Sequence, residues 1–180
     1  RRWQFRRRRR IGAVVMGIKR ILRHLATTGW HIKRAFPQAA LRAIEEAITA
    51  CEATHGGQIC VGIEGAIEGL PLLRGQSARE RAVEVFSYLR VWDTARNNGV
   101  LIYLLLADHD VEIIADRGID GPVGAQEWQR ICHQMEEAFG RGEFAEGVIA
   151  GIEAICTHLQ THFPREGAAT NELPDAPRVL

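Results

Sequence analysis

The sequence predicts an α/β fold, a three-layer α/β/α sandwich in which a small mixed sheet is flanked by helices. Helical and strand-like patterns follow one another in the order α–α–β–α–β–β–α–α. The segment GVLIYLLLA at 99–107 is continuously apolar, which is typical of a strand covered on both faces. Because helices must supply that cover on both sides, the elements are expected to form three layers.

The chain opens with RRWQFRRRRR, in which seven of the ten residues are arginine. Such a segment could bind phosphate groups, with Trp3 and Phe5 stacking on bases, or could begin an export signal. We favour a third interpretation. Codons can be chosen for residues 1–16 that, shifted by one base, encode a Gly-rich sequence whose stop codon overlaps the ATG of Met16. We therefore expect translation to start at Met16 and residues 1–15 not to be translated, which the genomic codons test.

The charge distribution argues against nucleic acid as a partner. The chain has 23 Lys and Arg against 22 Asp and Glu, and without the seven N-terminal arginines its net charge is −6. Residues 17–34 contribute five basic side chains and no acidic one, so residues 35–180 carry −11. The five are Lys19, Arg20, Arg23, Lys33 and Arg34. An acidic body is untypical of a nucleic-acid binder.

Residues 16–36 read as a basic amphipathic N-terminal segment, with a helix over 17–28. The apolar face of that helix consists of Ile18, Ile21, Leu22 and Leu25. We expect this face to pack on the core of the same domain, and the alternative is a helix that lies on a membrane surface. No run of about 18 apolar residues occurs, so no transmembrane helix is predicted.

The cysteines and histidines show no metal-type spacing. The four cysteines are Cys51, Cys60, Cys132 and Cys156. They read as small buried thiols, which suits a reducing cytoplasm. We therefore expect a cytoplasmic protein that is peripheral to the inner face of the membrane wherever 17–28 contacts lipid.

The domain proper is predicted over 37–163. Pro37 marks the first turn of a helix whose apolar stripe ends at Cys51. The sequence His55-Gly56-Gly57 ends that helix, and QICVGIE at 58–64 reads as a strand.

A loop is predicted over 65–76, and a capping box of Ser77 and Glu80 then starts a helix that runs to Leu89. The residues that this helix is expected to bury are Ala82, Val83, Phe86 and Leu89.

The apolar strand 99–107 is followed by DHD at 108–110 and by a strand at 111–116, which predicts an antiparallel hairpin. A D-x-D-x-V sequence after a hydrophobic strand resembles the nucleophile motif of haloacid-dehalogenase-type phosphatases. Those enzymes place the motif near the start of the domain, whereas only 70 residues follow it here. A polar hairpin turn is therefore the favoured interpretation.

Glycines and Pro122 predict a loop over 118–124. Two amphipathic helices follow, with apolar stripes from Trp128 to Phe139 and from Phe144 to Leu159. The last segment, 164–180, contains three prolines and is predicted to be an extended tail.

Two loops carry oxygen donors of the kind that Ca²⁺ or Mg²⁺ accepts. Asp93 and Asn98 precede the long apolar strand, and Asp116 and Asp120 follow the next strand. Since the two strands are predicted to be antiparallel, the start of one lies beside the end of the other, which brings Asn98 near Asp116. These four residues are the candidate metal ligands, although spacing alone favours purely structural loops. No catalytic residue is assigned.

Three motifs resemble a known family. They are the Asn-Gly-Val-Leu that begins at Asn98, the segment Gly118-x-Asp120-Gly121, and Phe144-x-x-Gly147 with Gly151. In order and spacing, residues 37–163 resemble the TPM domain, named after a thylakoid lumen protein, a photosystem repair protein and a nematode receptor modulator. On this resemblance the chain is identified as a soluble bacterial member.

The resemblance implies an α/β/α sandwich, a divalent-cation site in loops at one sheet edge and a phosphatase-like domain. Many bacterial relatives carry a membrane helix, so a membrane-bound relative is the implied protein partner. Some acidic positions differ: Ile114 stands where relatives often have Glu, and Ala125 where they often have Asp. Conversely, Asp116 stands where relatives often have Gly, and Asp120 where they commonly have Glu.

Two functions stay open from the sequence. The favoured one is a non-enzymatic binding module with a divalent-cation site, which acts with membrane-bound relatives through 17–28 and the C-terminal tail. The alternative is a metal-dependent phosphatase that acts on phosphate monoesters, in which the cation polarises a phosphoryl oxygen and activates water. The sequence shows no evident nucleophile or general base to complete such a site.

Overall fold

A computed structural model describes residues 17–165, residue 167 and residues 171–180, and the expectation about residues 1–15 lies outside that part. The helices are α1 (Ile18–Ala26), α2 (Gly29–Ala35), α3 (Gln38–Glu52), α4 (Gly69–Leu73), α5 (Ala78–Tyr88), α6 (Arg117–Val123), α7 (Ala125–Gly140) and α8 (Phe144–His162). The strands are β1 (Gln58–Glu64), β2 (Gly99–Leu105), β3 (Asp110–Ala115) and β4 (Arg178–Val179).

The four described strands form one mixed sheet in the order β3-β2-β1-β4. Strand β1 runs parallel to β2 and to β4, whereas β2 and β3 form the antiparallel hairpin that the sequence predicts. The register pairs Val100 with Ala115 and Gln58 with Gly99. The starts of β1 and β2 and the end of β3 therefore lie side by side, at the same end of the strands.

The central strand β2 is buried along its whole length and divides two apolar layers. Its alternate side chains enter different clusters because successive residues of a strand point to opposite faces. Val100, Ile102 and Leu104 pack in the cluster formed with α3, α7 and α8. Leu101, Tyr103 and Leu105 pack in the cluster formed with α4 and α5. The predicted α/β/α sandwich is confirmed.

Helix α5 begins with the predicted capping box. The Glu80 N–H donates to Ser77 Oγ at 3.2 Å, and the Ser77 N–H donates to Glu80 Oε2 at 2.7 Å. The expectation that Val83 is buried is wrong, since Val83 is 48 % exposed. The inward stripe contains Ala82 and Val85, and Val83 lies one residue off it on the solvent side.

Several predicted loops contain regular structure. The loop 65–76 contains α4, and the loop 118–124 lies within and just after α6, whose N-cap is Asp116. The strand predicted to run to 107 ends at Leu105, because residues 106–108 form a 3-10 turn. The reason is local: one turn of helix satisfies backbone groups near a sheet edge, and Gly and Pro alone do not reveal it.

The helix predicted over 17–28 is present as α1 but ends at Ala26, and a second short helix, α2, follows it. Of its apolar face, only Ile21 packs against the core. The expectation that the whole face packs on the domain is therefore wrong for Ile18, Leu22 and Leu25, which are exposed.

The described part of the C-terminal tail, residues 171–180, lies against the body of the domain. Gln58 Oε1 accepts hydrogen bonds from the backbone N–H groups of Glu172 and Leu173 at 2.7 and 2.9 Å. The Leu173 side chain is buried, and the following residues reach the edge of β1, where they form β4. Within the described part of the chain, this segment supplies the fourth strand of the sheet.

Candidate functional site

The loops that carry the predicted metal ligands touch through their backbones. The Asp116 N–H donates to Gly99 O and the Gly118 N–H donates to Asn97 O, both at 2.9 Å. A Cβ at Gly118 would lie 2.9 Å from Arg96 O and would collide with Asn97 O. Glycine is therefore required where the two loops meet, and the prediction that Asn98 lies near Asp116 is confirmed.

Asn98 is completely buried and most of its polar groups have partners. Its backbone N–H donates to Thr94 Oγ1 at 3.1 Å, and its Nδ2 donates to Gly56 O at 2.7 Å. Its backbone carbonyl accepts from the Gln58 N–H. The side-chain oxygen Oδ1, however, has no hydrogen-bond partner among the described residues.

Asp116 shows the same pattern on the neighbouring loop. One carboxylate oxygen, Oδ1, accepts from the Arg117 N–H at 2.7 Å and caps α6. The other, Oδ2, is buried without a partner in the described part of the chain. A buried oxygen without a partner is costly, and a hard cation satisfies such an oxygen. Asn98 Oδ1 and Asp116 Oδ2 are both oxygens without a hydrogen-bond partner among the described residues.

The other two candidate ligands lie differently. Asp93 is half exposed and forms an ion pair with Arg90. Asp120 is exposed on α6, one turn after Asp116. Across residues 17–165 and the described tail, the carboxylates of Asp93, Asp116 and Asp120 do not lie within 4.8 Å of one another. The structure thus brings the backbones of these two loops together, with Asn98 on one and Asp116 on the other.

Two further parts of this site were not predicted from the sequence. Thr94 is buried and its hydroxyl holds the backbone of Asn98, and the carbonyl of Gly56 fixes the side-chain amide of Asn98. A threonine four residues before a buried asparagine is a weak local signal of such a turn. No sequence pattern indicates the contact with the Gly56 carbonyl, because Gly56 comes close to Asn98 only when β1 pairs with β2.

The DHD segment forms a polar turn, as predicted, and it anchors α1. His109 adopts a left-handed conformation with φ 53°. Asp108 accepts hydrogen bonds from Arg20 at 2.6 Å and Arg23 at 2.5 Å, and forms an ion pair with the buried His24 at 3.1 Å. Burial alone would raise the pKa of Asp108, but the hydrogen bonds from His24 and Arg20 outweigh it and hold the pKa well below its usual range. Asp108 is a structural anion.

An apolar and basic surface covers the N-terminal part of the molecule, and we call it the N-terminal surface. Its exposed large apolar side chains are Ile18, Leu22, Leu25, Trp30, Leu70 and Leu73. Its exposed basic side chains include Lys19, Lys33 and Arg34, and the Arg34 guanidinium lies 5.3 Å from the centre of the Trp30 ring. Residues of α1, α2 and α4 line one cavity of about 500 Å³ there. Among the described residues, no helix is long and apolar enough to cross a membrane.

Comparisons with known proteins agree with this architecture. The family model described as the TPM domain matches residues 33–158. The solution structure of the BA42 protein from the psychrophilic bacterium Bizionia argentinensis is similar, with 30 % identity and a TM-score of 0.69, over 79 % of this chain and 93 % of that one. The N-terminal domain of a protein from P. gingivalis shares the fold, with 19 % identity and a TM-score of 0.58, over 73 % and 82 % of the two chains. No curated protein matches.

Proposed function

The chain belongs to the TPM domain family, and on that premise we propose that it is a binding module with a divalent-cation site. The cation, Ca²⁺ or Mg²⁺, is held at the loops of Asn98 and Asp116, and the N-terminal surface contacts an anionic membrane. The observation that carries the proposal is the pair of buried oxygens without partners, Asn98 Oδ1 and Asp116 Oδ2, on loops whose backbones are hydrogen-bonded.

Water and neighbouring oxygens would complete the coordination of a cation that these two oxygens bind. Asp120 lies in the first turn of α6, just after its N-cap Asp116, and a rotation of its side chain would add a second carboxylate. Ca²⁺ accepts six to eight oxygen ligands in flexible arrangements, which suits two loops of this kind. The cation would then cross-link the ends of β2 and β3.

Thermal unfolding with and without Ca²⁺, Mg²⁺ or Mn²⁺ tests the cation site. A cation that binds only the folded state at 100 times its Kd adds about 2.7 kcal/mol, which raises the Tm by several degrees. Asp116→Asn keeps the shape and the Oδ1 cap but removes the charge, and we expect it to lose most of the rise. Asp93→Asn is the matched control and should keep it.

A wild-type Tm that no cation changes, or a rise that is equal in Asp116→Asn, would refute the site. Hydrolysis of p-nitrophenyl phosphate measured in the same samples decides between the binding module and the phosphatase alternative. Turnover that needs the cation and disappears in Asp116→Asn would replace the binding module with a phosphomonoesterase.

The membrane contact rests on the composition of the N-terminal surface. Exposed leucines and a tryptophan beside lysines suit the interface of an anionic bilayer, where apolar side chains insert and basic ones bind headgroups. The cytoplasmic face of the inner membrane is the proposed location, since such faces carry anionic lipid. The acidic remainder of the chain, −11 over 35–180, would orient this surface toward the membrane.

Co-sedimentation with vesicles of phosphatidylcholine alone or with one quarter phosphatidylserine tests this contact. We expect binding to the anionic vesicles only, weakened by salt, and reduced in the double variant Leu22→Ser, Leu25→Ser. Tyr88→Ser, which removes an exposed apolar side chain from α5, is the control. Equal binding by all variants would refute the surface. Recruitment only to vesicles that contain a membrane-bound TPM relative would replace lipid with a protein partner.

A further inference from the structure

Two cysteines and a histidine converge where the end of α3 meets α8. Cys51 Sγ lies 3.0 Å from His55 Nε2, and the ligand atoms of Cys51, His55 and Cys156 all lie within 4.8 Å of one another. Among the described residues this is the one group of three or more His, Cys, Asp or Glu side chains with that property. Cys51 and His55 are buried, and Cys156 is half-buried.

Two parts of the chain supply the three side chains, the region at the end of α3 and helix α8. Cys51 lies in the last turn of α3, and His55 lies three residues beyond the end of that helix, where its ring contacts Cys51 Sγ. Helix α8 packs along α3 and presents Cys156 to them. His55 is fixed by a backbone bridge to Pro164, and Cys156 Sγ is contacted by Thr54 Oγ1 at 3.6 Å and by Gln160 Nε2 at 3.7 Å.

Sulfur and imidazole ligands select a class of metal different from that of the loop site. Two thiolates and one imidazole are the donors that Zn²⁺ prefers, whereas Ca²⁺ and Mg²⁺ take oxygen. Burial raises the pKa of the Cys51 thiol, so this thiol keeps its proton in the metal-free protein. A zinc ion deprotonates the thiols that it binds, so binding releases protons.

We propose that Cys51, His55 and Cys156 form a Zn²⁺ site that shares no ligand with the loops of Asn98 and Asp116. Three protein ligands leave the fourth tetrahedral position to water. The half-buried side of Cys156 supplies the route by which the ion and that water enter. The site ties α3 to α8, two of the three helices that cover one face of the sheet.

Zinc binding requires two changes in the metal-free site, one in the distance between ligand atoms and one in the position of a ring proton. Around a tetrahedral zinc the sulfur and nitrogen ligands are about 3.6 Å apart, so Cys51 Sγ and His55 Nε2 must separate by roughly half an ångström. The Gly57 N–H donates to His55 Nδ1 at 3.1 Å, which places the ring proton on Nε2 in the metal-free state. Coordination through Nε2 moves that proton to Nδ1, so the Gly57 N–H must turn away.

Titration of the reduced, metal-free protein with Zn²⁺ against a chromophoric chelator tests the site, and Co²⁺ supplies an optical probe of thiolate ligands. We expect one Zn²⁺ per chain, release of thiol protons, and a sulfur-to-cobalt charge-transfer band. The amide resonance of Gly57 should shift on Zn²⁺ addition, because its hydrogen bond to His55 is lost. An excess of Ca²⁺ should not displace the zinc.

Cys51→Ser and Cys156→Ser should each weaken Zn²⁺ binding more than tenfold and, at saturating Co²⁺, reduce the charge-transfer band by about half, because one of two thiolate ligands is lost. Cys132→Ser removes a thiol of α7 outside the cluster and is the matched control. His55→Asn should weaken binding while the thiolate band persists, which keeps the test informative if one cysteine variant fails to fold.

No stoichiometric Zn²⁺ uptake by the reduced wild type would overturn the proposal, as would equal affinity in Cys51→Ser and Cys156→Ser. A Cys51–Cys156 disulfide that forms under mild peroxide, in a protein whose reduced form takes up no Zn²⁺, would show a redox pair instead. Failure of the loop cation site would leave this result unaffected, because the two sites have no ligand in common.

Discussion

Glu52 is a carboxyl group that the fold buries at the end of α3. Its Oε1 accepts a hydrogen bond from the Ile59 N–H at 2.7 Å. Burial raises its pKa to about 8, the Ile59 hydrogen bond opposes that rise, and the charge of Asp175 adds to it. The folded protein therefore keeps a proton that the unfolded chain loses near pH 4.5. The free energy of unfolding must fall as the pH rises through this interval.

Glu52→Gln removes this titration and keeps an oxygen acceptor for the Ile59 N–H. Between pH 5 and 8 the free energy of unfolding should fall less in the variant than in wild type, because the titration of Glu52 is removed. At pH 9 we expect the variant to be more stable than wild type by about 1–2 kcal/mol. Urea unfolding at pH 5, 7 and 9 measures it. Glu46→Gln, on the exposed side of α3, should follow the wild-type curve. A Glu52→Gln curve parallel to wild type would contradict the assignment.

Asp108 has the opposite dependence, because its pKa is lowered in the folded state by His24 and Arg20, against the effect of burial. Its contribution is present above pH 3.8, the usual value, and is lost as the pH falls through the lowered pKa. Asp108→Asn leaves His24, Arg20 and Arg23 without their anion, and we expect α1 to detach at a cost of about 2 kcal/mol.

Hydrogen exchange of α1 and urea unfolding at pH 7 measure the effect of Asp108→Asn. Asp93→Asn, which breaks a half-exposed pair with Arg90, should cost less than about 0.5 kcal/mol. Unchanged protection of α1 in Asp108→Asn would show that apolar contacts, chiefly through Ile21, hold the helix instead.

Helix α6 is an element that local sequence patterns did not predict. Gly118, Gly121 and Pro122 indicate a loop by composition, yet the structure forms a helix capped by Asp116. Gly118 is needed because a Cβ at this position would collide with the carbonyl groups of Arg96 and Asn97, which lie there only after β2 pairs with β3. A sequence pattern cannot contain that requirement, since the contact joins residues more than 20 positions apart.

Gly118→Ala places a methyl group against those carbonyl groups and should push the loops apart. We expect a loss of about 2 kcal/mol or more in the free energy of unfolding, and weaker cation binding by the same protein. Gly121→Ala in the same helix meets no atom within 4 Å and should be neutral or slightly stabilising. Chemical unfolding of both variants, with and without Ca²⁺, measures this, and equal losses would contradict it.

The C-terminal residues complete the sheet. Gln58 binds the backbone of Glu172 and Leu173, and β4 covers the edge of β1. An uncovered edge strand presents unpaired N–H and C=O groups to other molecules. Residues 171–180 are therefore part of the folded domain.

Leu173→Ala should destabilise the protein by about 2 kcal/mol, because Leu173 is buried in the cluster formed with α4 and α5. Val179→Ala, in β4 but half exposed, should cost less than about 0.5 kcal/mol. Deletion of residues 171–180 should in addition promote dimerisation through β1, which sedimentation measures. A deletion variant as stable and monomeric as wild type would contradict this role.

The sequence by itself determined the sandwich, the β2–β3 hairpin, the capping box of α5 and the proximity of Asn98 to Asp116. Each of these follows from hydrophobic period, capping chemistry or short-range pairing, which act over a few residues. Only the tertiary structure decided that α1 is anchored through Asp108, that the tail supplies β4, and that Cys156 meets Cys51 and His55 from 105 positions away. Such contacts depend on how helices and strands pack, and packing brings together residues that share no local pattern.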